Sequence, residues 1–147
     1  MLEKSFGHVI EDAEYIERPG AYGVVINEQD QVVVAFCNGD YFLPGGGIEG
    51  NESHQECILR ECMEELALQV EVGEFIYKGD LYHTSGKSGK HYHSIGYFYF
   101  TEMVTILDQP SEEDHVLVWM DTAEAVAKLT LESQAWAVSE ACRILEG

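Results

Sequence analysis

The segment LPGGGIEGNESHQECILRECMEELAL, Leu43 to Leu68, restricts this chain more than any other part of it. A proline and three glycines stand just ahead of a run of good helix formers. Ser53 with Glu56 three residues later is a capping-box pattern, so a helix is expected to begin at Ser53. At about 100° per residue, Glu61, Glu64 and Glu65 share an arc about 100° wide, and Ile58, Leu59, Cys62, Met63 and Leu66 fill a neighbouring arc about 140° wide. One face of the helix can therefore pack on a sheet while its rim carries three carboxylates.

Like charges that close need an explanation. On a solvated helix face they cost only about a few tenths of a kcal/mol per pair, and an exposed acidic face is the plain reading. If the three carboxylates converge to about 6 Å, each pair repels by about 3 kcal/mol at an effective dielectric of about 20. The glycines favour convergence, because bare backbone can approach an ion or a phosphate closely. A divalent cation would offset the repulsion. All-oxygen donors suit Mg²⁺, or Mn²⁺ in its place, and not Zn²⁺.

The spacing resembles the signature of the Nudix hydrolase family, G-x5-E-x7-R-E-U-x-E-E-x-G-U, with U a bulky apolar residue. Gly46 takes the first position and Glu52 the next fixed one. Arg60 and Glu61 form the R-E pair, Glu64 and Glu65 the E-E pair, and Leu68 the last apolar position. Cys62 replaces the usual aliphatic residue, a mild change for a small buried hydrophobe. Ala67 replaces a glycine that would end the helix in a left-handed conformation, at a cost to alanine of about 1–2 kcal/mol. A modified helix end is expected there.

The resemblance implies a Nudix-type α/β/α sandwich with a mixed sheet, a single domain over 1–147. It also implies hydrolysis of a nucleoside diphosphate linked to another group, with Mg²⁺ or Mn²⁺. Glu61, Glu64 and Glu65 would hold metal, joined by the Gly45 carbonyl. Arg60 and Glu52 would pair and, with Gly46, hold the helix against the glycine loop. The base would be Glu61, or a carboxylate from the loop PSEEDH before the last strand. There Glu112 and Glu113 are the candidates, with Glu113 preferred. The partner is a small nucleotide, and a homodimer is open to such a chain.

The rest of the chain fits an α/β fold. AYGVVIN and QVVVAFC read as strands, LQVEVGEFIYKGDLYH as one or two, KHYHSIGYFYFTEM as an aromatic-rich strand and HVLVWMD as another. TAEAVAKL reads as a helix capped by Asp121 or Thr122. LESQAWAVSEACRILE follows as a second, expected to bury Ala135, Val138, Cys142 and Leu145.

Charge and cysteine usage narrow the function. The formal net charge is −19, from 27 acidic and 8 basic residues. That disfavours a nucleic-acid partner gripped through a broad basic face, and an anionic membrane surface. The amino terminus has no apolar run of signal-peptide length, and the four scattered cysteines form no Cys-x-x-Cys pair, so a cytoplasmic protein with reduced thiols is expected.

Several other residues invite a functional reading. His83, His91 and His93 lack an evident fourth ligand for zinc. Lys87 and Lys90 read as a solvated loop, and Arg18 is left outside the site. Tyr15, Tyr22, Tyr41 and Phe42 read as packing aromatics near the cleft. Cys57, without a basic neighbour to activate it, does not read as a nucleophile. Two non-enzymatic alternatives remain beside the hydrolase: a Nudix-fold nucleotide-binding module without turnover, and a structural cation-binding domain.

Overall fold

The computed structural model describes residues 2–108 and 114–147. Strands β1 (Glu3–Phe6), β2 (Tyr15–Val24), β3 (Gln31–Cys37), β4 (Asp40–Phe42) and β5 (Gly45–Gly47) precede helix α1 (His54–Leu66). Then come β6 (Leu68–Thr84), β7 (His91–Ile106), β8 (His115–Asp121), α2 (Thr122–Lys128) and α3 (Glu132–Glu146). The strands form a five-stranded sheet in the order β1-β6-β7-β2-β5 and a three-stranded sheet in the order β4-β3-β8. The larger sheet is mixed: β1–β6 and β2–β7 run parallel, β6–β7 and β2–β5 antiparallel. The sheets meet where β2 ends, through an Ile26–Val32 bridge and a 3.0 Å bond from the Val33 N–H to the Val25 carbonyl.

The nearly continuous apolar runs of β2 and β3 follow from burial on both faces. Alternate residues enter different cores. Val24, Val32 and Val34 join Leu43, Tyr77, Phe98 and, from α3, Ala137, Val138 and Ala141. Ala21, Val25, Val33 and Ala35 join Cys57, Ile58, Cys62 and Leu66 of α1. Helices thus cover both sides of the strands, as the α/β/α expectation requires.

Besides β1, which the sequence did not signal, and β5, which was read as a glycine loop, four details differ from the sequence reading. Strand β2 starts at Tyr15, not Ala21, because its first residues pair with β7 alone, and a one-sided pairing tolerates Pro19. Helix α1 buries Cys57 and Glu65 with Ile58, Cys62 and Leu66, while Leu59 is 44% exposed. Its buried stripe is rotated toward the glutamates because the strand beneath that side, β5, is all glycine. Helix α3 buries Gln134, Ala137, Val138, Glu140 and Ala141 and leaves Leu145 60% exposed. The rings of Tyr77 and Phe98 fill the core beneath it, so small side chains face inward and the leucine does not.

The fourth difference lies at the end of α1. Its start has both bonds of the capping box: the Glu56 N–H donates to the Ser53 hydroxyl and the Ser53 N–H to the Glu56 carboxylate. At the other end Ala67 takes the left-handed conformation itself, φ 51° and ψ 37°, and its N–H reaches the carbonyls of Cys62 and Met63. The expected modification is absent. The chain must reverse at once so that Leu68 can open β6, and Ala67 is itself buried there, accepting a bond from the Leu107 N–H. Tertiary packing overrides the local cost of alanine.

Candidate active site

Strand β5 is an edge of three glycines, with Gly46 opposite Ala21 and Gly45 opposite Tyr22 on β2. Helix α1 crosses above it. A Cβ on Gly46 would lie 2.7 Å from the Glu61 carboxyl carbon, and one on Gly45 would strike the Ala21 carbonyl and Tyr22. The glycines therefore let two helix carboxylates rest against bare backbone. The Gly45 N–H donates to Glu65 Oε1 at 3.0 Å, and the Cys57 thiol donates to the Gly46 carbonyl at 3.3 Å. The Glu65 and Glu61 side chains are 11% and 16% exposed, against 50% for Glu64.

Arg60 ties these groups together. It donates to both oxygens of Glu52, from Nε at 2.6 Å and Nη2 at 2.9 Å, a bidentate pair. Nη2 also donates to the Gly47 carbonyl at 3.0 Å, which fixes the helix to the glycine strand. Nη1 reaches Glu61 at 2.6 Å and Glu64 at 3.1 Å. The hydrogen bond from Arg60, with a second from the Glu49 N–H, holds the Glu52 carboxyl down at about 2. Burial, and then the nearby Glu65 carboxylate, pushes the Tyr22 hydroxyl up to about 12. Burial raises the Cys57 thiol to about 11, so it acts here as a protonated donor and not a nucleophile.

A cavity of about 500 Å³ opens beside this cluster, with Glu61, Gly47 and Glu49 on one side and Arg18, Ser94 and Tyr22 among its other walls. The structure thus brings together Gly45, Gly46, Glu52, Arg60, Glu61 and Glu65, with Glu64 on the outer rim. Glu112 and Glu113 lie outside the described residues. Beside that loop His115, the first residue of β8, places Nε2 3.5 Å from Glu65 Oε2. The three histidines weighed for zinc lie together on the β6–β7 ladder but hold separate partners: His93 meets Asp80, His83 meets Ser94 and His91 meets Thr84, with His83 opposite Tyr92 and so on the other face from His91 and His93. Lys87 and Lys90 are exposed between β6 and β7 and do not line the cavity.

Arg18, Tyr22 and His115 border the site; the sequence reading left Arg18 outside it, took Tyr22 as a packing aromatic near the cleft and did not weigh His115. Their places depend on the β2–β5 register and on where β8 begins, and neither leaves a local spacing signal. Arg18 carried a hint as one of few cations in an acidic chain, and Tyr22 as an aromatic beside the expected cleft.

The donors on offer for a metal are carboxylate and carbonyl oxygens, the chemistry of a hard divalent cation. Among the described residues no three acidic, His or Cys side chains are close enough together to enclose one. Arg60 Nη1 stands between Glu61 and Glu64 and offsets their charge.

The NUDIX domain family model matches residues 17–142. No curated protein sequence matches the chain. Among solved structures, a NUDIX hydrolase from Nitrosomonas europaea superposes with a TM-score of 0.69 at 16% identity, covering 87% of this chain and 90% of the other. A MutT protein from Methanosarcina mazei Go1 gives 0.66 at 18% identity, over 92% and 100%. An ADP-ribose pyrophosphatase from Streptococcus suis 89-1591 gives 0.64 at 19% identity, over 86% and 92%. These likenesses establish the fold. With the family match over most of its length, the chain belongs to the Nudix family, and its enzyme class is the Nudix pyrophosphohydrolases.

Proposed function

We propose that the chain hydrolyses a diphosphate linkage in a nucleoside diphosphate derivative, using Mg²⁺ or, in its place, Mn²⁺. The observation that carries this reading is the placement of Glu61 and Glu65 against Gly46 and Gly45, with Glu61 lining the cavity. Glu61, Glu64 and Glu65, with the Gly45 carbonyl, are the groups we assign to the metal. A divalent cation bound there supplies an activated water and neutralises charge on the phosphate oxygens.

The protein's own part is to position and to accept a proton. Water oxygen attacks one phosphorus of the linkage, the bond from that phosphorus to the bridging oxygen breaks, and the proton of the water passes to a base. Glu61 is the described glutamate of the cluster that borders the cavity, and Glu113 is the second candidate, proposed from sequence. Arg60, anchored on Glu52 and the Gly47 carbonyl, keeps the helix in register with β5.

The test is a hydrolysis screen with nucleoside triphosphates, ADP-ribose, dinucleoside polyphosphates and sugar nucleotides, in Mg²⁺ and in EDTA, beside Glu64→Gln. Cleavage of at least one compound is expected in Mg²⁺ only, falling by at least about 100-fold in the variant. Glu64 is half exposed, so this variant should keep its fold. Undiminished turnover by Glu64→Gln would remove it from the machinery. Nucleotide binding in Mg²⁺ with no cleavage of any compound would instead favour the binding module.

A further inference from the structure

Strand β2 leaves β7 at the Val24–Phe100 pair and turns to β3, which it meets through Val25, Ile26 and Asn27. Beyond that fork β7 pairs with β6 alone, from Thr101 to Ile106. Its other edge makes no backbone hydrogen bond among the described residues. Two cavities open in the fork, of about 550 and 390 Å³. Ile26 and Glu102 border both, so they form one wedge, and neither shares a residue with the cleft beside Glu61. The larger lies on the α3 face with Val24 and Phe100, the smaller on the α1 face with Val25 and Trp119.

The wedge exposes apolar surface. Ile144 and Leu145, from the last turn of α3, border the larger cavity, and Met103, Val104 and Ile106 lie along the open edge. These are five of the twelve large apolar residues left exposed among the described residues, so the exposure is concentrated here. Contiguous apolar surface marks a contact site, and an unpaired strand edge is a template for a further strand. The charge of the rim selects the occupant. Glu71, Glu74 and Glu102 border the larger cavity, Glu28 joins Glu102 in the smaller, and no described lysine or arginine lines either. None of the four has an ion pair or side-chain hydrogen bond among the described residues. A second copy of a chain carrying −19 would bring like charge onto this rim, whereas a cationic segment neutralises it.

We infer that the wedge docks an extended segment of another protein in which lysine or arginine alternates with apolar residues. The segment adds to the free edge of β7 at Thr101–Met103, before the register shift that leaves Val104 without a partner. Alternate side chains of such a strand leave opposite faces. On the α3 face, cationic stems cover Val24, Phe100 and Leu145 and carry their heads to Glu71, Glu74 and Glu102. On the other face, apolar side chains meet Val25, Met103 and Trp119.

The test is binding of three capped nine-residue peptides to the whole protein in Mg²⁺. Lysine alternates with valine in the first, and glutamate replaces lysine in the second. In the third, proline replaces valine, which keeps the charge and removes every second N–H. The lysine–valine peptide is expected to bind, the glutamate peptide not to bind, and the lysine–proline peptide to bind at least about tenfold more weakly. Glu71→Gln, Glu74→Gln and Glu102→Gln together should weaken the lysine–valine peptide about tenfold. Glu11→Gln, Asp12→Asn and Glu14→Gln together remove as many charges from the exposed loop before β2 and should change it less than about twofold. Glu64→Gln should bind it as wild type does, which separates this surface from the catalytic cleft. Equal loss in the two triple variants, or equal binding of the valine and proline peptides, means diffuse attraction and overturns the inference. No binding of the lysine–valine peptide overturns it too, as does a homodimer in sedimentation that Leu145→Asn dissociates, which would assign the wedge to a second copy.

Discussion

Arg60 is the residue on which the site's geometry turns. One guanidinium holds Glu52 with two hydrogen bonds, caps the Gly47 carbonyl and touches Glu61 and Glu64. The sign of its effect on Glu52 sets a pH prediction. The Glu52 carboxyl falls from 4.5 to about 2 in the folded chain, chiefly through the Arg60 hydrogen bond. A carboxyl so depressed contributes stability that is fully present above about 4.5 and is lost as the pH falls toward 2. The melting-temperature gap between wild type and Glu52→Gln should therefore be constant above about pH 5 and close progressively below it. A gap independent of pH down to about 2 would mean that the pair does not depress Glu52. At this scale the sequence was highly legible: motif spacing named Glu52, Arg60, Glu61, Glu64 and Glu65. The i,i+4 spacing of Arg60 and Glu64 is itself a helix-pair signal. What spacing could not show is that the same nitrogen also reaches Glu61, the next residue, because adjacent helix residues do not ordinarily face each other.

At the scale of the element, helix α1 shows local signals and tertiary packing in competition. Its capping box was readable from Ser53 and Glu56 alone, and both bonds are present. Its left-handed end at Ala67 was not, since alanine argued for a different geometry. Replacing Ala67 with glycine should relieve about 1–2 kcal/mol of backbone strain, less about 0.5–1 kcal/mol for the added freedom of the unfolded chain. The expected net gain is about 0.5–1 kcal/mol, a rise of about 2 °C in melting temperature for a chain of this size. A fall in melting temperature would show that the alanine methyl contributes more by packing than its conformation costs. Helix α3 carries a parallel lesson. Its apolar periodicity pointed to Leu145, yet the core selected Gln134 and three small residues, because Tyr77 and Phe98 had already claimed the volume.

At the scale of the molecule, the site is assembled from both helical layers. Gln134 of α3 is buried, and its Oε1 accepts the Leu43 N–H at 2.7 Å, just ahead of Pro44 and the glycine strand. Gln134→Leu would strand that N–H at about 1–3 kcal/mol. Melting temperature should fall by roughly 2–4 °C for each kcal/mol lost. Activity should fall further than Tm suggests if the clamp also positions β5, and an unchanged melting curve would remove Gln134 from that role. Charge acts at the same scale. With a net charge of −19, any salt relieves some self-repulsion. Bound Mg²⁺ should do more, adding about 2.7 kcal/mol at a concentration about 100 times its dissociation constant. At matched ionic strength, Mg²⁺ should raise the melting temperature more than Na⁺ does in wild type, and the excess should vanish in Glu64→Gln. An equal excess in the variant would point to diffuse screening.

The sequence by itself determined the family, the α/β class and the acidic cluster, because these rest on short-range spacing: a capped helix, a glycine run and carboxylates repeating on one arc. It determined the start of α1 for the same reason. The tertiary structure alone decided that α1 rolls its glutamate side down onto β5, that Ala67 bends left-handed, and that α3 buries a glutamine where periodicity favoured a leucine. It also set Arg18 and Tyr22 on the cavity wall. Each of these depends on the β2–β5 register, the entry into β6 or the volume of the core, which join residues distant along the chain and leave no mark in local sequence.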